Sequence, residues 1–125
     1  MKMAKIFLYD APKMKRRYWA LIHTKSNDPQ NAAVRFTLGD LHFSQHEFSQ
    51  AIVQYEKGLR IDPGDEFSKW NLALAYLQIG KTAQTIQILE EIEGTKRGSY
   101  AKQAGDLKAY LQSIRFKWNL RQSTE

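Results

Sequence analysis

The feature that most constrains this sequence is an internal repeat. When the chain is shifted along itself so that Leu38 falls on Leu72, the Asp-Pro pair at 28–29 falls on the Asp-Pro pair at 62–63. A fixed interval of roughly 34 residues indicates a supersecondary unit that recurs and stacks on its own copies. We therefore expect a stack of similar units, and we call the step from Leu38 to Leu72 the repeat interval.

The hydrophobic pattern of each unit predicts two helices joined by a short turn. In residues 32–65, the second helix carries an apolar stripe at i, i+3, i+4, i+7 and i+11, formed by Phe48, Ala51, Ile52, Tyr55 and Leu59. The segment 62–65 ends this helix, because proline cannot continue the hydrogen-bond ladder. A polar break at 44–47 separates it from a preceding helix with the same kind of spacing.

Small residues predict where the two helices of a unit cross. Gly39 and Ala73 occupy the same place in successive first helices, and Ala51 and Gly58 lie on the helix that faces Gly39. Small side chains allow two backbones to approach closely. Gly58 costs about 1 kcal/mol of helix propensity relative to alanine, so its presence indicates a tight contact.

This pattern resembles the tetratricopeptide repeat (TPR). Residues 32–65 match it best, and the signature positions over both units are Leu38, Gly39, Ala51, Tyr55, Gly58, Pro63, Leu72, Ala73 and Tyr76. His42 stands in the usual aromatic position, whereas Arg35 stands where the family often has tryptophan and His46 where the turn usually has glycine. The resemblance implies an all-α fold, an antiparallel helix-hairpin repeat stack.

The repeat also predicts how a single domain over residues 1–125 is divided. Residues 1–31 form a degenerate first unit, and 32–65 form the best unit. A second clear unit covers 66–98, and a capping helix covers 99–118. Residues 119–125 form a frayed tail.

The C-terminal segment carries one apolar seam with alternating steps of four and three residues, formed by Tyr100, Ala104, Leu107, Leu111, Ile114 and Trp118. Repeat stacks need a terminal element that hides the edge of the core. We therefore predict a capping helix here. The alternative is a dimerisation helix, in which the same seam pairs with a second copy.

The sequence offers little for catalysis or cofactor binding. It has no cysteine and three histidines, and of these His42 and His46 are four residues apart. His42 occupies a packing position and His46 falls in a turn, so we expect no metal site. No glycine-rich phosphate loop precedes a helix. We therefore expect no cofactor and no enzymatic activity. No apolar run is long enough to span a membrane, and we expect a cytoplasmic protein.

In the TPR family, the first helix of each unit lines a concave face. The resemblance therefore implies a partner-binding groove formed by residues that should not pack inside their own unit, namely Phe36, Asp40, Phe43, Phe67, Trp70, Asn71, Leu74, Leu77 and Gln78. Such an apolar face needs a cover, because soluble monomers rarely expose patches of this size. The cover could be a chain terminus, a second copy or a partner. The alternative interpretation is that these residues are simply core.

Charge is segregated along the chain. The net charge is +6 over residues 1–25, −5 over 26–93 and +5 over 94–125. The N-terminal basic flank, Lys13, Lys15, Arg16 and Arg17, raises the alternative of binding to nucleic acid or to another acidic partner. We favour the interpretation that these cations form a solvated helix face, because the neighbouring aromatic residues lie on packing stripes.

These observations together predict a non-enzymatic protein–protein interaction module. It would act as an adaptor, scaffold or assembly factor and would hold a partner peptide or helix in the apolar groove. Binding of nucleic acid through the basic ends is the first alternative. Self-assembly into a homo-oligomeric scaffold is the second.

Overall fold

Five α-helices make up the described part of the chain. The structure is a computed structural model that describes residues 31–95 and 98–123, with side chains as far as Arg115. The helices are α1 (Ala32–Ser44), α2 (Phe48–Ile61), α3 (Glu66–Gln78), α4 (Thr82–Gly94) and α5 (Ala101–Ser123). These ranges contain no strand, so the prediction of an all-α fold is confirmed.

Some sequence predictions lie outside the described residues. They include the degenerate first unit up to residue 30 and the basic flank, Lys13, Lys15, Arg16 and Arg17. The side chain of Trp118 and those of the tail from 119 to 125 lie outside as well.

Side-chain caps mark where the first helix begins in each of two helical hairpins, the first formed by α1 and α2 and the second by α3 and α4. The Asn31 side chain accepts a hydrogen bond from the Ala33 amide at 2.9 Å, and Asp65 accepts one from the Ser68 amide at 3.0 Å. Such caps satisfy amides that have no partner within the helix. The predicted break at 62–65 falls between the end of α2 and the start of α3.

The helix bounds recur at the repeat interval found in the sequence. Each end of α1 lies one repeat interval before the corresponding end of α3, and the starts of α2 and α4 are separated by the same interval. The turns recur too, because His46 and Gly80 adopt positive φ angles of 61° and 80°. In each turn a backbone amide donates a hydrogen bond to the carbonyl five residues earlier. These bonds run from Glu47 to His42 at 2.8 Å and from Lys81 to Tyr76 at 2.9 Å.

The helices of each hairpin approach at the small residues. A Cβ atom placed on Gly39 would lie 2.6 Å from the Tyr55 ring, and one on Gly58 would overlap the Phe36 ring. In the second hairpin the hydroxyl of the fully buried Thr85 lies 3.2 Å from the Ala73 carbonyl. Close approach at these positions confirms the crossing that the small residues predicted.

Each helix packs on the next one along the chain, and α1 also touches α3. Polar side chains also connect the hairpins. The Asn71 amide donates to Asp40 at 3.4 Å, and the Tyr76 hydroxyl donates to Glu56. Burial is the main reason that the pKa of Tyr76 is raised to about 12, and the hydrogen bond to Glu56 raises it further.

The seam of α5 lies against the second hairpin. Tyr100, Ala104, Leu107 and Leu111 are buried in the same apolar cluster as Leu89 and Ile92 of α4, and this cluster runs through all five helices. None of the helices in the described ranges is both long and apolar enough to cross a lipid bilayer.

Candidate functional site

The face that the sequence assigned to a groove is buried in this structure. Seven of its nine residues are at most 4 % exposed, namely Phe36, Asp40, Phe43, Phe67, Trp70, Asn71 and Leu74. Leu77 and Gln78, near the end of α3, are partly exposed. These side chains therefore do not form an open apolar surface here.

A ring from outside the hairpins lies on this face. Tyr100, immediately before α5, stacks on Trp70 with ring centroids 5.7 Å apart and planes inclined by 17°. It also stacks on Phe67 at 6.3 Å. Offset aromatic pairs at such distances stabilise by about 0.5–1.5 kcal/mol beyond their buried area. The sequence placed Tyr100 on the capping seam, but its contact with Trp70 was not predicted.

Two residues of the expected groove pack within their own hairpin. The Phe36 ring lies against Gly58 of α2, where the missing side chain leaves room for it. Phe43 meets Phe48 edge to face, with centroids 5.1 Å apart. The expectation that they would not pack inside their own unit was wrong, because the helix crossing brings α2 within reach of both rings.

A polar cluster lies in the interior of the same face. The Tyr55 hydroxyl donates to Asp40 at 2.6 Å, and Asp40 is 2 % exposed. Asn71 is fully buried and donates to the same carboxylate, while its side-chain oxygen has no hydrogen-bond partner within the described ranges. Buried polar clusters fix the relative position of the elements that contribute to them, and this one holds α1, α2 and α3 together.

An open apolar surface lies where the turn between α3 and α4 meets α5. A cleft of about 460 Å³ lies between the α3–α4 turn and α5 and is lined by Gly80, Lys81, Thr82, Ala83, Gln84, Leu111, Ile114 and Arg115. Leu111 is buried, whereas Ile114 is 45 % exposed. We call this region the α5 cleft.

The α5 cleft marks the place where the apolar seam loses its cover. From Tyr100 to Leu111 the seam is buried, and one turn later Ile114 is open to solvent. Tyr110, four residues before Ile114 and hence on a neighbouring part of the helix surface, is 60 % exposed. The regular spacing of the seam did not predict this change, because spacing does not reveal where the neighbouring helix begins.

The two cations at the α5 cleft are unpaired in the part of the chain that the structure describes, unlike Lys108, which lies nearby on α5. Lys108 pairs with Glu93 at 2.9 Å, and this hydrogen bond raises the pKa of Lys108 above its ordinary value. Lys81 and Arg115 have no ion-pair partner among the described residues. The cleft therefore carries two uncompensated positive charges beside its apolar lining.

The histidine pair shows no arrangement for metal binding. His42 lies 3.4 Å from Glu47, and the His46 ring packs edge to face on Phe48. Within residues 31–95 and 98–123, no group of three or more histidine, cysteine or acidic side chains is placed to hold a metal ion.

Comparison with known proteins does not assign the chain to a family. No protein-family model matches it, and no curated protein matches it with significance. Any functional proposal therefore depends on the repeat and on the surfaces described above.

Proposed function

We propose that this chain is a non-enzymatic protein-interaction module of the TPR type, in which α5 caps a stack of helical hairpins. The proposal is supported by the recurrence of helix bounds and turns at the repeat interval. It is also supported by the tight helix crossings at Gly39 and Gly58. Helical repeat stacks commonly serve as frames that present a binding surface.

The observation that carries the proposal is the exposure of apolar residues at the α5 cleft. The α1/α3 face is filled by its own buried side chains, so an incoming partner finds its apolar contacts at the α5 cleft, which the exposed Ile114 lines, and at the exposed Tyr110 on the neighbouring surface of α5. An amphipathic helix or an extended peptide docks on such a surface by burying its own apolar side chains. The module would thus act as an adaptor, scaffold or assembly factor.

Affinity capture from cells that make the protein tests this function. The full chain is used as bait, together with Ile114→Asp and a matched control, Val53→Asp. Val53 is 46 % exposed on α2, nearly the same as Ile114, so both variants add one charge at an equally open position. We expect wild type and Val53→Asp to enrich the same partner and Ile114→Asp to lose it.

Circular dichroism of the three baits provides the folding control. If no protein is enriched above an empty matrix, the interaction function is wrong. If both variants capture the partner equally well, the function stands but the α5 cleft is not where binding occurs.

A further inference from the structure

The α5 cleft lies between acidic hairpins and a basic helix. Residues 31–95 contain five basic and nine acidic residues, a net charge of −4, whereas residues 98–123 contain five basic and one acidic, a net charge of +4. The lining of the cleft nevertheless includes Lys81 and Arg115 and no acidic residue. A negatively charged partner is repelled by the acidic hairpins and attracted on the α5 side, where the two cleft cations lie.

The acidic residues of α4 do not neutralise this site. Glu90 lies eight residues after Thr82, which corresponds to about 12 Å along the helix. At physiological ionic strength, interactions between exposed charges are screened beyond about 8 Å. Glu93 is engaged with Lys108. Neither cleft cation is therefore paired with an acidic side chain of α4.

The shape of the cleft indicates a ligand larger than an ion. Its volume of about 460 Å³ lies within the ~300–1,000 Å³ typical of ligand sites. Leu111 and Ile114 provide apolar contact from α5, and Ala83 provides it from α4. The cations stand on both sides, Lys81 on the turn and Arg115 on α5. An apolar side chain between two carboxylates matches this arrangement.

We infer that the α5 cleft binds an acidic segment of a partner protein, in which a leucine-like side chain enters the cleft and flanking carboxylates pair with Lys81 and Arg115. The inference rests on the proposed function and adds the chemistry of the partner. Apolar burial supplies affinity, while the charges supply orientation and a preference for acidic over basic partners.

A synthetic peptide tests this chemistry directly. The probe is a fluorescein-labelled peptide of four Glu-Glu-Leu repeats, and its binding to the full chain is followed by fluorescence anisotropy. We expect saturable binding that weakens as salt is raised. Peptides of four Glu-Glu-Ser repeats and of four Lys-Lys-Leu repeats should each bind at least tenfold more weakly, because one lacks the apolar group and the other has the wrong charge.

Charge-matched variants then locate the site. Lys81→Glu/Arg115→Glu should raise the dissociation constant at least tenfold. Lys57→Glu/Lys102→Glu changes the net charge by the same amount at exposed positions outside the cleft and should change it less than twofold. Equal weakening by both double variants would show attraction by net charge alone and overturn the inference. Absence of binding to wild type would overturn it as well.

Two further outcomes separate this inference from its alternatives. If light scattering shows a dimer that Ile114→Asp dissociates, the occupant is a second copy and the inference is wrong. If affinity capture yields an Ile114-dependent partner while the Glu-Glu-Leu peptide fails to bind, the interaction function stands and only the acidic chemistry is wrong.

Discussion

Replacing Gly39 with alanine should destabilise the first hairpin although alanine favours helices. The added Cβ would lie 2.6 Å from Cε1 and 2.7 Å from Cδ1 of Tyr55. The ring has no free space to move into, because Tyr55 is fully buried and its hydroxyl donates to Asp40 at 2.6 Å. Overpacking of this kind costs about 1–3 kcal/mol, and a weakened hydrogen bond to a carboxylate adds about 1 kcal/mol. The helix propensity of alanine returns about 1 kcal/mol, so we expect a net loss of about 2 kcal/mol.

Urea unfolding followed by circular dichroism at 222 nm measures this loss. With an m value of about 1–3 kcal/mol/M, the midpoint should fall by roughly 1 M. Gly105→Ala is the matched control in α5, because the atoms nearest to its Cβ would be those of the Glu93 side chain at 3.4 Å, an ordinary van der Waals distance. There the propensity gain is not opposed by a clash, and we expect stabilisation by about 0.5–1 kcal/mol.

The opposite signs of the two variants make the reasoning refutable. A Gly39→Ala protein as stable as wild type would mean that α1 and α2 do not cross at Gly39. The equivalence of Gly39 and Ala73 as close-contact positions would then be wrong, and with it the structural basis for the repeat unit. If Gly105→Ala were equally destabilising, the loss at Gly39 could not be assigned to the Tyr55 ring.

Two other substitutions test the packing between elements. Trp70→Ala should lower the free energy of unfolding by about 3–5 kcal/mol in urea titrations, because Trp70 is 1 % exposed and stacks on Tyr100. Unchanged stability together with lost partner capture would instead identify Trp70 as a binding residue. Because the pKa of Tyr76 is raised from 10.0 unfolded to about 12 folded, folding favours its protonated form. That contribution is fully present below pH 10 and is lost as the pH rises to 12, so the stability difference between wild type and Tyr76→Phe should shrink over that interval.

The repeat made the helices predictable, because local chemistry determines them. Pro63 ends one hairpin, and Asp65 caps the next helix at the place that the repeat interval required. The small residues predicted the crossings, since a glycine within a helix is costly unless a neighbour needs the space. These inferences depend only on residues within one unit.

The candidate site was less predictable, because it depends on contacts between units. Helical spacing placed Phe36 and Trp70 at equivalent positions on α1 and α3 but did not show what would cover them. The structure covers them differently, since the Phe36 ring fills the space above Gly58 while Trp70 meets Tyr100 from beyond the second hairpin. Periodicity identifies a buried face, but only the positions of the other elements identify its neighbour.

The same reasoning explains why the open surface lies on α5. The helix α4 has 13 residues and α5 has 23, so α5 is about 15 Å longer at 1.5 Å per residue. Because Leu111 and Ile114 already lie beside the first residues of α4, the helix continues past the end of its neighbour. Where the seam passes the first residues of α4 its cover is incomplete, and Ile114 is 45 % exposed there. A further repeat unit packed here would cover the seam with apolar side chains alone. Lys81 and Arg115 at the edge of the cleft instead favour a partner that brings carboxylates.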